Sequence, residues 1–207
     1  MSILDQLASA LGRNDEQPNI ALAEMLAAKP DAKAVAELVG ALSAGTAAQK
    51  SDAIKVIYEL GERRPEAVAE HAAAFIALLG SRNNRLVWGA MHAVATVTPL
   101  RAKEVAAALP AILAAADKGS VIAKDHAMSI LSRLALAGHA SALPVLLDRL
   151  ETALPNQFPM YAEIALPAVT PAHRARLRAI LEGRLVKIEQ TAKRARVEKV
   201  LRKLGNG

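Results

Sequence analysis

With 207 residues, 53% apolar but only 2% aromatic, the chain can bury a sizeable core, and that core must be built of small and medium side chains. The alanine- and leucine-rich composition belongs to helices rather than strands, and the absence of cysteine excludes disulfides, thiolate metal sites and cysteine nucleophiles. The net charge of +6 is misleading as an average, because residues 1–171 hold 15 Lys/Arg against 17 Asp/Glu whereas residues 172–207 hold 11 against 3.

From the start, Met1-Ser2-Ile3-Leu4-Asp5 lacks the basic and long apolar regions of a secretory signal. No stretch reaches the ~18 uninterrupted apolar residues of a membrane span; the longest run, Val105 to Ala116, is interrupted by Pro110. A soluble, cytoplasmic protein is expected. Residues 1–44 read as an irregular first unit, with a short helix over 2–11 and hairpin partners near 18–28 and 31–43. Thr46 and Gln49 stand as a capping box. The helix they open carries Ala53, Ile54, Ile57 and Leu60 on one face and is expected to stop at Gly61. Arg64-Pro65 restarts the chain, with proline where a first helical turn tolerates it, and a second helix is expected through Phe75, Ile76 and Leu79 to Gly80.

The next unit begins at Asn83 or Asn84, both good N-caps, and runs through Trp88, Met91 and Val94 to a break at Thr98-Pro99. It returns through Val105, Leu109, Ile112 and Leu113. After Gly119-Ser120 a further hairpin goes out through Met128, Leu131 and Leu134 to Gly138 and back through Leu143, Val145, Leu146 and Leu150. Thr170-Pro171 opens a long basic segment in which Leu177, Leu181, Leu185 and Ile188 recur at helical spacing.

One pattern ties these segments together. Ala53-Ile57-Leu60, Ala90-Val94-Val97, Ala127-Leu131-Leu134 and Ala162-Leu166-Val169 share an alanine followed by aliphatics four and seven residues on, and the alanines step by 37, 37 and 35 residues. A period of that length marks a solenoid, in which no unit buries its apolar face alone. The pattern resembles the HEAT-repeat (armadillo-like) α-solenoid family over about residues 18–188. Leu109-Pro110 and Leu143-Pro144 in the second helices and Ala127-x3-Leu131 in a first helix carry the resemblance. Asp117 and Lys124 stand near the family's inter-repeat ladder, and Lys50 repeats the basic position. Val87 departs from that position, and Asn156-Gln157-Phe158-Pro159 lacks the ladder. The resemblance implies a scaffold or adaptor whose concave surface is lined by second helices. The expected fold is all-α, a right-handed α-solenoid of about five antiparallel helical hairpins. Residues 1–171 would form the near-neutral HEAT-like stack, and 172–207 basic capping helices continuous with it.

Catalytic chemistry finds little support. Asp125 and Ser129 share a helix face while His126 points about 100° away, so no triad assembles, and His126 reads as a partly buried polar residue. His71, His92, His139 and His173 are scattered, none four residues from another, so neither a metal site nor a cofactor is expected. The glycines fall mostly at helix ends, where a left-handed cap residue is expected. Gly89 inside a helix points to close packing, with ligand contact as the alternative. Trp88, the single tryptophan, is a candidate interface anchor or a filler between repeats.

The basic segment carries the remaining functional signal. Arg174, Arg178, Arg184, Lys187, Lys193, Arg194, Arg196, Lys199 and Arg202 are candidate anion- or partner-binding residues, set opposite Val197, Val200, Leu201 and Leu204. Such a helix docks on nucleic-acid phosphates, an anionic membrane or an acidic protein. It also reads as a plain solvated capping helix, braced by the pairs Glu189–Lys193 and Glu198–Arg202. With no aromatic residue there, any nucleic-acid contact would be to the backbone. The chain therefore reads as a non-enzymatic scaffold for a protein partner, with phosphate-backbone binding by the basic helices as the alternative.

Overall fold

The computed structural model describes residues 2–205. Met1, at the start of the expected stack, and Asn206–Gly207, at the end of the basic segment, lie outside the described residues. Every regular element among the described residues is helical. Contacts group the chain into two compact units, 1–127 and 128–207, with the division inside the eighth helix.

The first unit opens differently from the sequence expectation. In place of a helix over 2–11, a single 3₁₀ turn spans Ile3–Gln6, closed by a capping box between Ser2 and Asp5. Leu7 is nonetheless fully buried. Polar staples hold this arm down: Asn19 Oδ1 accepts from the Ala8 N–H at 3.0 Å, Asp52 Oδ2 accepts from the Ser9 N–H at 2.8 Å, and Asn19 donates to Asp52 at 2.8 Å. Tertiary bonds to the backbone here replace the i to i−4 bonds a helix would make.

Helices α1 (Gln17–Ala28) and α2 (Ala32–Ala44) occupy the spans expected of the first hairpin, but each packs on the third helix rather than mainly on the other. The third, α3 (Ala47–Arg63), starts on the expected capping box: Thr46 Oγ1 accepts from the Gln49 N–H at 3.3 Å, and Gln49 Oε1 accepts from the Thr46 N–H at 2.9 Å. It does not stop at Gly61. That glycine lies inside the helix because a Cβ there would collide with Thr96 of α5 (Asn84–Val97). Gly89 serves α5 in the same way, since its Cβ would come 2.7 Å from Ile54. Two glycines, one on each helix, thus let α3 and α5 pack closely, and the close-packing reading of Gly89 holds. Among the described residues only Gly12 and Gly138 take positive φ, and of these only Gly138 follows a helix end, so the left-handed cap expected at most helix ends is confined to one place.

The repeat seam is where the sequence placed it. Ala53, Ile57, Leu60, Ala90, Val94 and Val97 are fully buried, as are Ala127, Leu131 and Leu134 on α8 (Val121–Leu136). Its fourth instance breaks down. Ala162 is buried on α10 (Phe158–Ala165), but Leu166 and Val169 are only half-buried. Pro167 explains the change: lacking an N–H, it cannot bond to the Glu163 carbonyl, and the helix yields to a 3₁₀ turn at Leu166–Ala168.

Second helices are more broken than their sequence patterns predict. Residues 65–80 comprise 3₁₀ turns at Pro65–Ala67 and Ala69–His71, the short α4 (Ala72–Ala77) and a final turn at Leu78–Gly80. Between the first two turns, Val68 is fully buried with φ −120° and ψ −5°, so tertiary burial overrides helix propensity there. The next return splits into α6 (Ala102–Ala107) and α7 (Leu109–Lys118). Pro110 forces the split, since its ring and missing donor are incompatible with a helix running on from Ala106.

In the second unit α8 is followed by α9 (Ala142–Glu151), α10, α11 (Arg174–Leu185) and α12 (Thr191–Gly205). Helices α10 and α11 pack on α9, and α12 packs on both α10 and α11. The basic segment is therefore part of this unit's core: Leu177, Leu181, Val197, Val200 and Leu204 are all buried.

Candidate interaction surfaces

A row of rings crosses the first helices of the first unit. Trp88 and His92 sit four residues apart on one face of α5, and Tyr58 of α3 lies between them. The Tyr58 ring is 5.7 Å from Trp88 and tilted, and 4.4 Å from His92 and stacked. His92 in turn stacks on His126 of α8 with centroids 4.2 Å apart. Tyr58 is buried, whereas Trp88, His92 and His126 are half-buried. His92 Nε2 meets Glu62 Oε1 at 2.7 Å.

Charges flank this row as a closed network. Lys55 Nζ lies 3.0 Å from Glu16 and 2.9 Å from Glu59, and 5.0 Å above the Tyr58 ring. Glu59 also holds Arg63 at 2.5 Å, and Arg63 reaches Glu24 at 3.2 Å. Glu16 holds Arg85 at 2.6 Å, and that guanidinium stands 5.7 Å over Trp88. Burial works against the Lys55 ammonium, but Glu59, Tyr58 and Glu16 outweigh it and raise its pKa. Burial likewise opposes ionisation of Glu59, yet Lys55 and Arg63 prevail and its pKa falls. Hydrogen bonding to Arg85, and then to Lys55, lowers Glu16. Burial raises the Tyr58 phenol.

Trp88, the predicted anchor, thus stands at one end of this row. The sequence alone does not join Tyr58, His92 and His126 to it, although Lys55 and His92 occupy the same repeat position, 37 residues apart. The row also lies on first helices, not on the second helices that the resemblance implied. His126, read from the sequence as a partly buried polar residue, is half-buried and stacks on His92. Among the described residues no group of three or more His, Asp or Glu side chains is placed to hold a metal.

The nine predicted cations of the basic segment do not converge on one spot. Arg184 donates to the Glu151 carbonyl at 2.5 Å and the Ala153 carbonyl at 2.6 Å, and its guanidinium lies 4.6 Å over Phe158. It satisfies carbonyls left open where α9 ends. Lys193 donates to Asn156 Oδ1 at 2.5 Å. Arg196 grips Glu163 with two bonds of 3.0 and 2.6 Å; this pairing lowers the Glu163 pKa and raises that of Arg196. Arg194 pairs with Glu198 at 3.2 Å and Arg178 with Glu182 at 3.6 Å along their own helices. Lys199 and Arg202 are exposed, as is Lys203, which flanks them in the sequence. Lys187 is exposed in the loop after α11, and Arg174 is half-buried at its start. Arg176, outside the predicted set, pairs with Asp148 and lies 3.8 Å from Glu151.

No family model matches the sequence, nor does any curated protein. Solved structures do. A designed armadillo repeat protein in complex with the peptide (KR)4 is similar over 97% of this chain and 99% of its own, at 16% identity and TM-score 0.64. Another designed armadillo repeat protein covers the same shares at 16% identity and TM-score 0.61. An engineered protein matches over 100% of this chain and 98% of its own, at 17% identity and TM-score 0.62. At such identities the likeness establishes the fold: the chain is an all-α, armadillo- and HEAT-like helical-repeat protein, as the repeat pattern predicted.

Proposed function

We propose that this chain is a non-enzymatic repeat scaffold that binds a peptide or protein segment across the first helices of its first unit. The observation that carries the reading is the ring row Trp88–Tyr58–His92–His126 spanning α3, α5 and α8, in which half-buried Trp88, His92 and His126 pack around or beside a buried Tyr58. Partly exposed aromatic side chains supply contact area at little entropic cost, which is why they dominate interface energetics. Rigidity comes from beneath. The glycine-mediated contact of α3 with α5 and the Lys55 network hold the rings in place before a partner arrives, reducing what binding must order. One of the designed proteins sharing this fold is in complex with a peptide, which supports the same use here.

The single tryptophan makes the test direct. Peptides selected from a random library for binding to the chain should shift Trp88 emission on titration. Their affinity should fall at least tenfold in Trp88→Ala while helical content by circular dichroism stays unchanged. Selected binders indifferent to both Trp88→Ala and His92→Ala would place recognition elsewhere and sink this reading.

A further inference from the structure

We propose that the outward face of α12 is a second interaction surface, one that docks on the phosphate backbone of duplex nucleic acid through Lys199, Arg202 and Lys203. It stands apart from the peptide-binding reading, which concerns other residues in the first unit.

The argument begins with what the structure removes from the sequence's list. Arg184 and Lys193 are committed to Glu151, Ala153 and Asn156, and Arg196 to Glu163. Lys199, Arg202 and Lys203 are exposed on α12, and among the described residues no hydrogen bond or close ion pair engages them. The carboxylates near them are Glu163, gripped by Arg196, and Glu198, which pairs with Arg194 in place of the Arg202 that the sequence spacing suggested. At the end of the helix, Arg178 Nη2 comes within 3.5 Å of where a Gly205 side chain would begin, so a fourth cation borders the patch. The unit as a whole holds 13 Lys/Arg against 6 Asp/Glu, and the excess is concentrated here.

Partner chemistry follows from what the face lacks. Val197, Val200 and Leu204 are buried against α10 and α11, so α12 has no apolar side left to sink into a bilayer. Its exposed residues are Thr191, Ala192, Ala195, Gly205 and arginines and lysines, and Leu201 is half-buried, so the face carries no exposed aromatic or large aliphatic anchor of the kind a protein interface needs. Attraction is left to charge alone. A duplex offers one phosphate charge per ~1.7 Å of axis, and Lys199 to Lys203 spans about 6 Å of helix, so the cations meet phosphates in any register. Such contacts position without reading sequence.

The test is a fluorescence-anisotropy titration of the full chain with a labelled random-sequence 20-base-pair duplex between 50 and 200 mM salt. Binding should weaken with a log–log slope of about −2.7, the value for three released counterions. The triple variant K199Q/R202Q/K203Q should lose at least tenfold in affinity at 50 mM salt and most of the slope, with an unchanged thermal melt. If the triple variant melts early, the single variants K199Q and K203Q should each reduce the slope by about 1. No binding at 50 mM salt overturns the proposal, as does full affinity in the triple variant. Polyglutamate that displaces the duplex at equal charge concentration also overturns it, in favour of an acidic protein segment.

Discussion

The two units use the same residue types to opposite ends. Residues 1–127 hold 13 Lys/Arg and 14 Asp/Glu, and the cations beside the ring row, Lys55, Arg63 and Arg85, all have carboxylate partners in a network that braces it. Residues 128–207 hold as many cations but fewer than half the carboxylates. There the arginines that find partners become structural, as Arg184 does on backbone carbonyls and Arg196 on Glu163, and the remainder stay in solvent. Carboxylate supply, more than the number of basic residues, decides whether a cation stabilises the fold or is left for a partner.

The contrast can be broken most severely at Phe158, which is fully buried and capped by the Arg184 guanidinium. Phe158→Ala should cost about 3–5 kcal/mol in denaturant unfolding. Arg184→Met should cost about 1.5–3 kcal/mol, because it frees two carbonyls at the end of α9 while keeping an apolar stem over the ring. A cost for Arg184→Met below about 0.5 kcal/mol would return Arg184 to the pool of free cations and blur the distinction drawn above.

In the first unit the sharper probe is Gly89. A valine there would drive its Cβ into Ile54, and overpacking of this kind costs about 1–3 kcal/mol. Gly80→Ala, with nothing within 4 Å of the new methyl, is the matched control and should leave the melting temperature within a degree or two.

Acid titration should give the smallest effect and sharpen the comparison of carboxylates. Glu16, Glu59 and Glu163 all have lowered folded-state pKa values against an ordinary 4.5. A lowered folded pKa means the stabilisation is complete above pH 4.5 and is lost as pH falls through the folded value. Thermal stability should therefore decline below about pH 4.5, and Glu59→Gln should flatten that decline. An unchanged slope in Glu59→Gln would show that the Lys55 network is not what acid disrupts.

How much of this was legible beforehand depended on the range of the interaction. The capping box at Thr46 and Gln49, the N-cap Asn83 and the buried alanines at 53, 90 and 127 are local or periodic features, and they appear where the pattern put them. The stop expected at Gly61 failed because a glycine at a helix end and a glycine beneath another helix look the same in a single chain. Thr96, 35 residues away, decides between them. The fourth seam failed at Pro167, a residue in plain view whose missing donor outweighed the apolar spacing around it.

Side-chain sites divide along the same line. Periodicity at 37 residues by itself determined that consecutive helices would stack through an alanine seam, because burial of a repeated apolar face is a property each unit carries within it. Only the tertiary structure decided that Tyr58 would sit between Trp88 and His92, that Arg184 would turn inward, and that Lys199, Arg202 and Lys203 would be left outside. A charged side chain's role depends on which carbonyl or carboxylate comes within about 3 Å of it, and that distance is set by helices meeting across 30 or more residues.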